Sequence, residues 1–255
     1  MAYQLNRLPT DHPTWEGGEM LSRWQTLCLC LLFYSCTTVG IPDKEAIQNI
    51  DFGPPEKLRL CIYKDVSISD KQAEEIIAAL QKEFSHFGLE IEVPWIRAWK
   101  RPAFTGYEIL NNFATCPLES PCDRLLALVG RSISDFLWGI IMPEVHGAVE
   151  DVSMTKGFAV AEIGSFNQML SMSSAARLAI HETYHLLGCD HDIDAKPCYE
   201  KIARIKKIAR KSRLAGRDFF PSVGLDQRVL MSRLEVEKKL EPYLRKTFAC
   251  EVILP

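Results

Sequence analysis

Residues His181–Asp192 read HETYHLLGCDHD, and the spacing within this stretch decides how the rest of the chain is read. His181 and His185 are four residues apart, so on an α-helix both rings project from one face, one turn apart. Glu182 stands beside the first of them. Gly188 follows, where a glycine takes the positive φ that ends a helix and turns the chain. The turn brings His191 back towards the first two rings. Three neutral imidazole nitrogens with one open position describe a catalytic zinc site, whereas structural zinc is usually closed by four protein ligands. The chain has only six histidines in 255 residues, so three in this one stretch mark a built cluster. The competing readings are a helix that merely carries surface histidines and a zinc site without activity.

The pattern HExxHxxGxxH resembles that of the metzincin zinc endopeptidases, in which a downstream methionine lies beneath the metal. Met231, in QRVLMSRL, is the last methionine of the chain. Asp192 after His191, and the LMS around Met231, are similar to the adamalysin branch. Arg233 stands where the astacin branch has a tyrosine, so no tyrosine ligand is expected. The resemblance implies one Zn²⁺ held by His181, His185 and His191. It makes Glu182 the general base of peptide-bond hydrolysis and Met231 a support that does not touch the ion. It also implies an edge strand that pairs with substrate backbone, with Gly147 and Ala148 as substrate contacts. The implied fold is α/β (α+β): a twisted mixed sheet of about five strands with the active-site helix, then a smaller irregular lower subdomain ending in a C-terminal helix. The alternative function is an inactive zinc-binding relative displayed on a membrane as a binding module. Glu182 argues against it, because zinc binding alone does not need that carboxylate.

Composition agrees with one globular catalytic domain behind a leader: 47% of residues are hydrophobic and 25% charged. A formal charge of −3 gives no general affinity for nucleic acid; the partner that the resemblance implies is a peptide or protein substrate. Residues 1–36 read as the leader. From Met20, an alternative start, come Arg23, an apolar run over Leu27–Tyr34, Ser35 and Cys36, the layout of a bacterial secretory signal. Its end resembles a lipoprotein box, which makes Cys36 a lipidation site and membrane anchor. The protein is therefore expected to be exported, as a membrane-anchored lipoprotein or in the periplasmic or extracellular space. The alternative is a cytoplasmic protein with an interfacial N-terminal helix. Six cysteines remain outside the leader, and in an exported protein they permit disulfides. Cys116 and Cys122 are close enough to close a small loop, and Cys189 and Cys198 flank His191.

Residues 37–56 read as a linker punctuated by proline and glycine, and 57–255 as the catalytic domain. KLRLCIYKDV (57–66) alternates like a strand. Ser69 and Gln72 form a capping box for a helix that runs towards Gly88. LEIEVPWIRAW (89–99) reads as one strand, YEILNNFA as a helix, and RLLALVG (124–130) as a central strand. HGAVEDV and GFAVAEIG are two more strands, and SSAARLAIHETYHLLG is the active-site helix. Tyr184 is left open between core and cleft. KIARIKKIARKSRLAGR (201–217) holds eight lysines or arginines. It reads first as an amphipathic helix with a solvated basic face and second as a surface for anionic lipid. SRLEVEKKLEPYLRKTF reads as the C-terminal helix.

Overall fold

The computed structural model describes residues 43–101, 105–131, 145–161, 174–191, 194–244 and 250. The leader, Cys36 and Asp192 lie outside the described residues. Residues 38–255 form one compact unit.

Strand β1 (Glu56–Asp65) lies inside a mostly parallel mixed sheet. Helix α2 (Asp70–Ser85) returns the chain to β2 (Leu89–Glu92) and β3 (Ile96–Trp99); the short α1 (Lys44–Gln48) precedes β1. Both β2 and β3 pair with β1 in parallel, β2 along its first half and β3 along its second. The single strand expected over 89–99 is therefore two. Pro94 lacks a ladder N–H and breaks the run, while the carbonyl of Trp95 accepts from Ile62 N at 3.2 Å to keep the edge closed. Helix α3 (Gly106–Ala114) leads to β4 (Arg124–Val129), whose six residues are all buried. Then come β5 (Gly147–Val149) and β6 (Lys156–Val160). The order is β2–β1–β4–β6–β5, with β5 antiparallel at the edge.

Alternation sorts the side chains to two faces. Leu58, Leu60, Ile62, Leu126, Leu128 and Ala159 enter one core. Helix α2, the motif helix α4 (Ala175–Leu186) and helix α5 (Lys196–Leu214) pack into that core, with Phe87, Leu89, Ile91, Phe220 and Val223. Cys61, Tyr63, Leu125, Ala127, Val129 and Phe158 enter the other, against Ile109 and Phe113 of α3. Val236 and Leu240 of α6 (Arg233–Leu240) close that side. The capping box of α2 forms as its sequence predicts, and Ala73, Ile76, Leu80 and Phe84 are buried.

After α4 the chain is more ordered than expected. Helix α5 has 19 residues and is followed by a hairpin of β7 (Ser222–Val223) and β8 (Val229–Leu230). The helix expected over SRLEVEKKLEPYLRKTF ends at Leu240, because Pro242 passes the chain into a 3₁₀ turn over Glu241–Tyr243. The stretch read as a linker also carries structure. Asp43 caps α1, and Ala46, Ile47, Ile50 and Phe52 pack on the α2–α4–α5 core.

Three disulfides form: Cys61–Cys122, Cys116–Cys250 and Cys189–Cys198. The small loop expected between Cys116 and Cys122 does not. Cys122 sits just before β4, and the pairing of β4 with β1 brings it within 5.6 Å (Cα–Cα) of Cys61. The Cys189–Cys198 pair beside His191 is as expected. Disulfides persist in oxidising compartments, and none of the described helices is long and apolar enough to cross a membrane.

Arg124 is fully buried. Its guanidinium donates to the carbonyls of Leu186 (2.8 Å), Asp123 (2.8 Å), Phe220 (3.0 Å) and Pro221 (2.6 Å). Burial lowers its pKa to about 10, so it remains a cation at neutral pH. Arg124→Leu would strand these carbonyls, each worth about 1–3 kcal/mol when buried unpaired. Denaturant unfolding of the oxidised protein should show a loss of at least about 3 kcal/mol; a loss below about 1 kcal/mol would show that the cation is dispensable.

Candidate metal centre

Helix α4 is capped at Ser174, whose hydroxyl accepts from Arg177 N at 3.2 Å. Ala179, Ile180, Tyr184 and Leu186 turn into the core. This face leaves His181 and His185 half-buried at the cleft. Tyr184 belongs to the core: it packs on Phe84 and Phe87, and its hydroxyl donates to Glu83 Oε1 at 2.5 Å.

The helix ends as the glycine predicts. Gly188 has φ +85°. Its N–H donates to His185 O at 2.8 Å, and Cys189 N–H donates to Tyr184 O at 3.1 Å. These two bonds form a Schellman cap, and they reverse the chain towards His191. Two further ties hold the returning segment: the Cys189–Cys198 disulfide and an ion pair between Asp190 and Lys201. Both partners lie on α5, so that helix anchors the third histidine.

The three rings converge. One nitrogen from each of His181, His185 and His191 lies within 4.8 Å of the others. Nε2 of His181 and Nε2 of His185 are 3.1 Å apart. Tetrahedral ligands at ≈ 2.0–2.1 Å from zinc stand about 3.3 Å from each other, so this pair has the spacing of one edge of a metal site. His185 Nδ1–H donates to Cys189 O at 2.6 Å, which leaves Nε2 with its lone pair facing the cluster. Burial, reinforced by the two neighbouring imidazoles, lowers the pKa of His185 to about 4. The ring is neutral at pH 7, as a metal ligand must be.

Glu182 is 4% exposed, and its Oε2 is buried with no hydrogen-bond partner among the described residues. Burial raises its pKa to about 8. A buried acid with a raised pKa beside three imidazoles marks a candidate functional site. Its roof is β5. A Cβ at Gly147 would stand 2.6 Å from the Glu182 carboxyl carbon and closer still to Oε1. Glycine is required there by the close approach of strand and carboxylate.

The cleft has a volume of ≈ 400 Å³ and is bordered by Gly147–Asp151, Met154, His181, Glu182, His185, Cys189–His191 and Leu225. Both substrate contacts expected from sequence, Gly147 and Ala148, are on this wall. The register refines their roles. Val160 N donates to His146 O and Glu150 N to Lys156 O, so residues 146, 148 and 150 turn their backbone polar groups towards β6. By the alternation of an antiparallel ladder, Gly147 and Val149 present theirs to the other edge, where no described strand pairs. Val149 was missed because register is invisible before the pairing is known.

Met154, Asp151 and Leu225 were also missed. Met154 sits at φ +53°, which costs a non-glycine residue roughly 1–2 kcal/mol. The buried Glu150 carboxylate compensates, accepting from Ser153 N (2.8 Å), Ser153 Oγ (2.5 Å) and Thr155 N (2.7 Å). No periodic pattern announces such a loop. Met231 is not among the cleft-lining residues. It follows β8, half-buried, with its N–H donating to Glu235 at 2.6 Å.

The chain matches no protein-family model, and no curated protein is significantly similar to it.

The cluster should bind one divalent metal ion per chain. After dialysis, elemental analysis of His181→Ala or His185→Ala should show less than about a tenth of the wild-type content, with His86→Ala unchanged. Full occupancy in either of the first two would place the metal elsewhere.

Proposed function

We propose that this protein is a zinc-dependent metalloendopeptidase of the metzincin type. The observation that carries the reading is the convergence of His181, His185 and His191 with the orphaned carboxylate of Glu182 directly beneath the open edge of β5. The sheet order, the antiparallel edge strand and the glycine-capped motif helix support it, because this arrangement is similar to the metzincin upper subdomain. The disulfides agree with export, and the lipidated Cys36 remains part of the proposal for how the domain reaches a membrane.

The donor set fits Zn²⁺: three imidazoles, two with facing nitrogens, one of which, His185, holds its Nδ1–H on Cys189 O. When bound, the ion supplies Lewis acidity towards a carbonyl and acidifies water. The chain supplies the rest. An extended peptide adds to β5 through the outward N–H and C=O groups of Gly147 and Val149, which fixes its backbone across the cleft. Glu182, whose ionised form a dication held by the three histidines would favour, accepts the proton of the attacking water and returns it to the leaving amine. Oε2 of Glu182 has no hydrogen-bond partner among the described residues, so no fixed donor competes for that oxygen.

Glu182→Gln keeps shape and hydrogen-bonding capacity but cannot accept a proton. Metal content should be retained while cleavage of a broad peptide library falls at least ~100-fold. Equal cleavage by wild type and variant would assign the activity to another site. No cleavage by fully metallated wild type would favour the inactive binding module.

Gly147→Ala tests the wall independently. The added methyl must displace the Glu182 carboxylate, and a displacement of about 1 Å costs on the order of 100-fold in rate. Metal content should not change. Wild-type rates in this variant would show that the roof does not position Glu182.

A further inference from the structure

Helix α5 carries one feature that neither the fold nor the metal centre uses. Its inner face buries Ile202, Ile205, Ala209 and Ser212. One of its lysines is also internal: Lys206 is 1% exposed, and its Nζ donates to Phe87 O at 2.5 Å. The outer face is different. Arg204, Lys207, Lys211 and Leu214 follow at i, i+3, i+7 and i+10, which aligns them in one stripe about 15 Å long. Arg210 flanks the stripe and Arg217 extends it beyond the helix end. All of these residues are exposed, and Leu214 is 83% exposed. No acidic residue occurs between Glu200 and Asp218. The side chains of Arg204, Lys207, Arg210, Lys211 and Arg217 form no ion pair with a described residue, whereas Lys196, Lys201 and Arg213 of the same helix each have a carboxylate partner.

A purely solvated face on a chain of net charge −3 would be expected to mix signs, as the rest of this surface does. Here five cations lie in and beside a stripe that ends in one protruding leucine. We propose that this face of α5 is a docking surface for an anionic phospholipid bilayer. Lysine and arginine pair with headgroup phosphates while Leu214 enters the interfacial region. The position of α5 singles out a membrane among polyanions. Asp43, where the described chain begins, donates its N–H to the hydroxyl of Tyr199 on α5 at 3.0 Å. Cys36 precedes Asp43 by seven residues, a stretch that reaches about 25 Å at most. A chain anchored at or near Cys36 therefore keeps α5 within reach of the bilayer. A single acyl attachment is marginal, and a polybasic patch is the kind of second signal that makes attachment stable.

The test is vesicle co-sedimentation of the full chain at about 0.1 M salt. Neutral phosphatidylcholine vesicles are compared with vesicles containing phosphatidylglycerol. Each basic residue at such a surface contributes enough that three together give at least ~10-fold tighter binding. Wild type should show that preference, and it should shrink as salt rises. The triple variant Arg204→Glu, Lys207→Glu, Lys211→Glu should bind both vesicles alike. The leader is the same in both proteins, so its contribution cancels. Circular dichroism and metal content verify the fold, and the neutral triple Arg204→Gln, Lys207→Gln, Lys211→Gln replaces the first variant if that one does not fold. The proposal is overturned if wild type shows no preference for the anionic vesicles, or if the variant keeps the preference. It is equally overturned if short duplex DNA binds the stripe at the same salt while the vesicles do not.

Discussion

The architecture depends on a buried cation satisfied by backbone. Arg124 stands at the start of the central strand β4, and its guanidinium donates four hydrogen bonds to carbonyls from three separate parts of the chain. One is Leu186 O at the end of the motif helix, where a positive charge also meets the negative end of the helix dipole. Two others, Phe220 O and Pro221 O, begin the segment that leads into the β7–β8 hairpin. A single side chain thus relates the helix carrying His181 and His185 to the segment below it. Asp123, its neighbour and also fully buried, extends the tie. It accepts from Arg59 and from Phe220 N, and pairs with Arg233 at the start of α6.

On that base the centre is assembled from pieces with little freedom. The Schellman cap at Gly188 sets the direction of the returning chain, while Cys198 and Lys201 on α5 hold it there. The bond from His185 Nδ1 to Cys189 O belongs to both pieces: it orients the ring and fastens the turn. The fourth wall comes from the sheet edge. Gly147 lets β5 descend onto Glu182, which strips the carboxylate of solvent while leaving the backbone of Gly147 and Val149 open. Buried acid and open edge are thus two sides of one strand. The compact hairpin of β5 and β6 that creates them is secured by Glu150 in the loop between.

Much of this was legible in the chain. Helix spacing placed His181 and His185 on one face, the glycine after them predicted the turn, and Ser69 with Gln72 announced a cap that forms. These signals are local: they depend on dihedral preferences and on neighbours within a few residues. The errors share the opposite character. Cys116 stands six residues from Cys122, yet each pairs with a cysteine far along the chain, because β1 and β4 lie side by side. The break at Pro94 was local, but the use of both halves on one edge of β1 was not. Lys206 reads as one more surface lysine until the carbonyl of Phe87 is seen to need it.

The sequence by itself therefore determined the three-histidine set that could hold a metal ion, the helix that presents two of its members and the turn that returns the third. Each follows from periodicity and backbone preference within a dozen residues. Only the tertiary structure decided which strand roofs Glu182, which backbone groups face the cleft and which cations of α5 have no ion-pair partner among the described residues. Those outcomes depend on register and on burial against segments distant in the chain, where one residue of slip exchanges the inward and outward sets. No local pattern carries that information, because the partner that settles it is chosen only when the core closes.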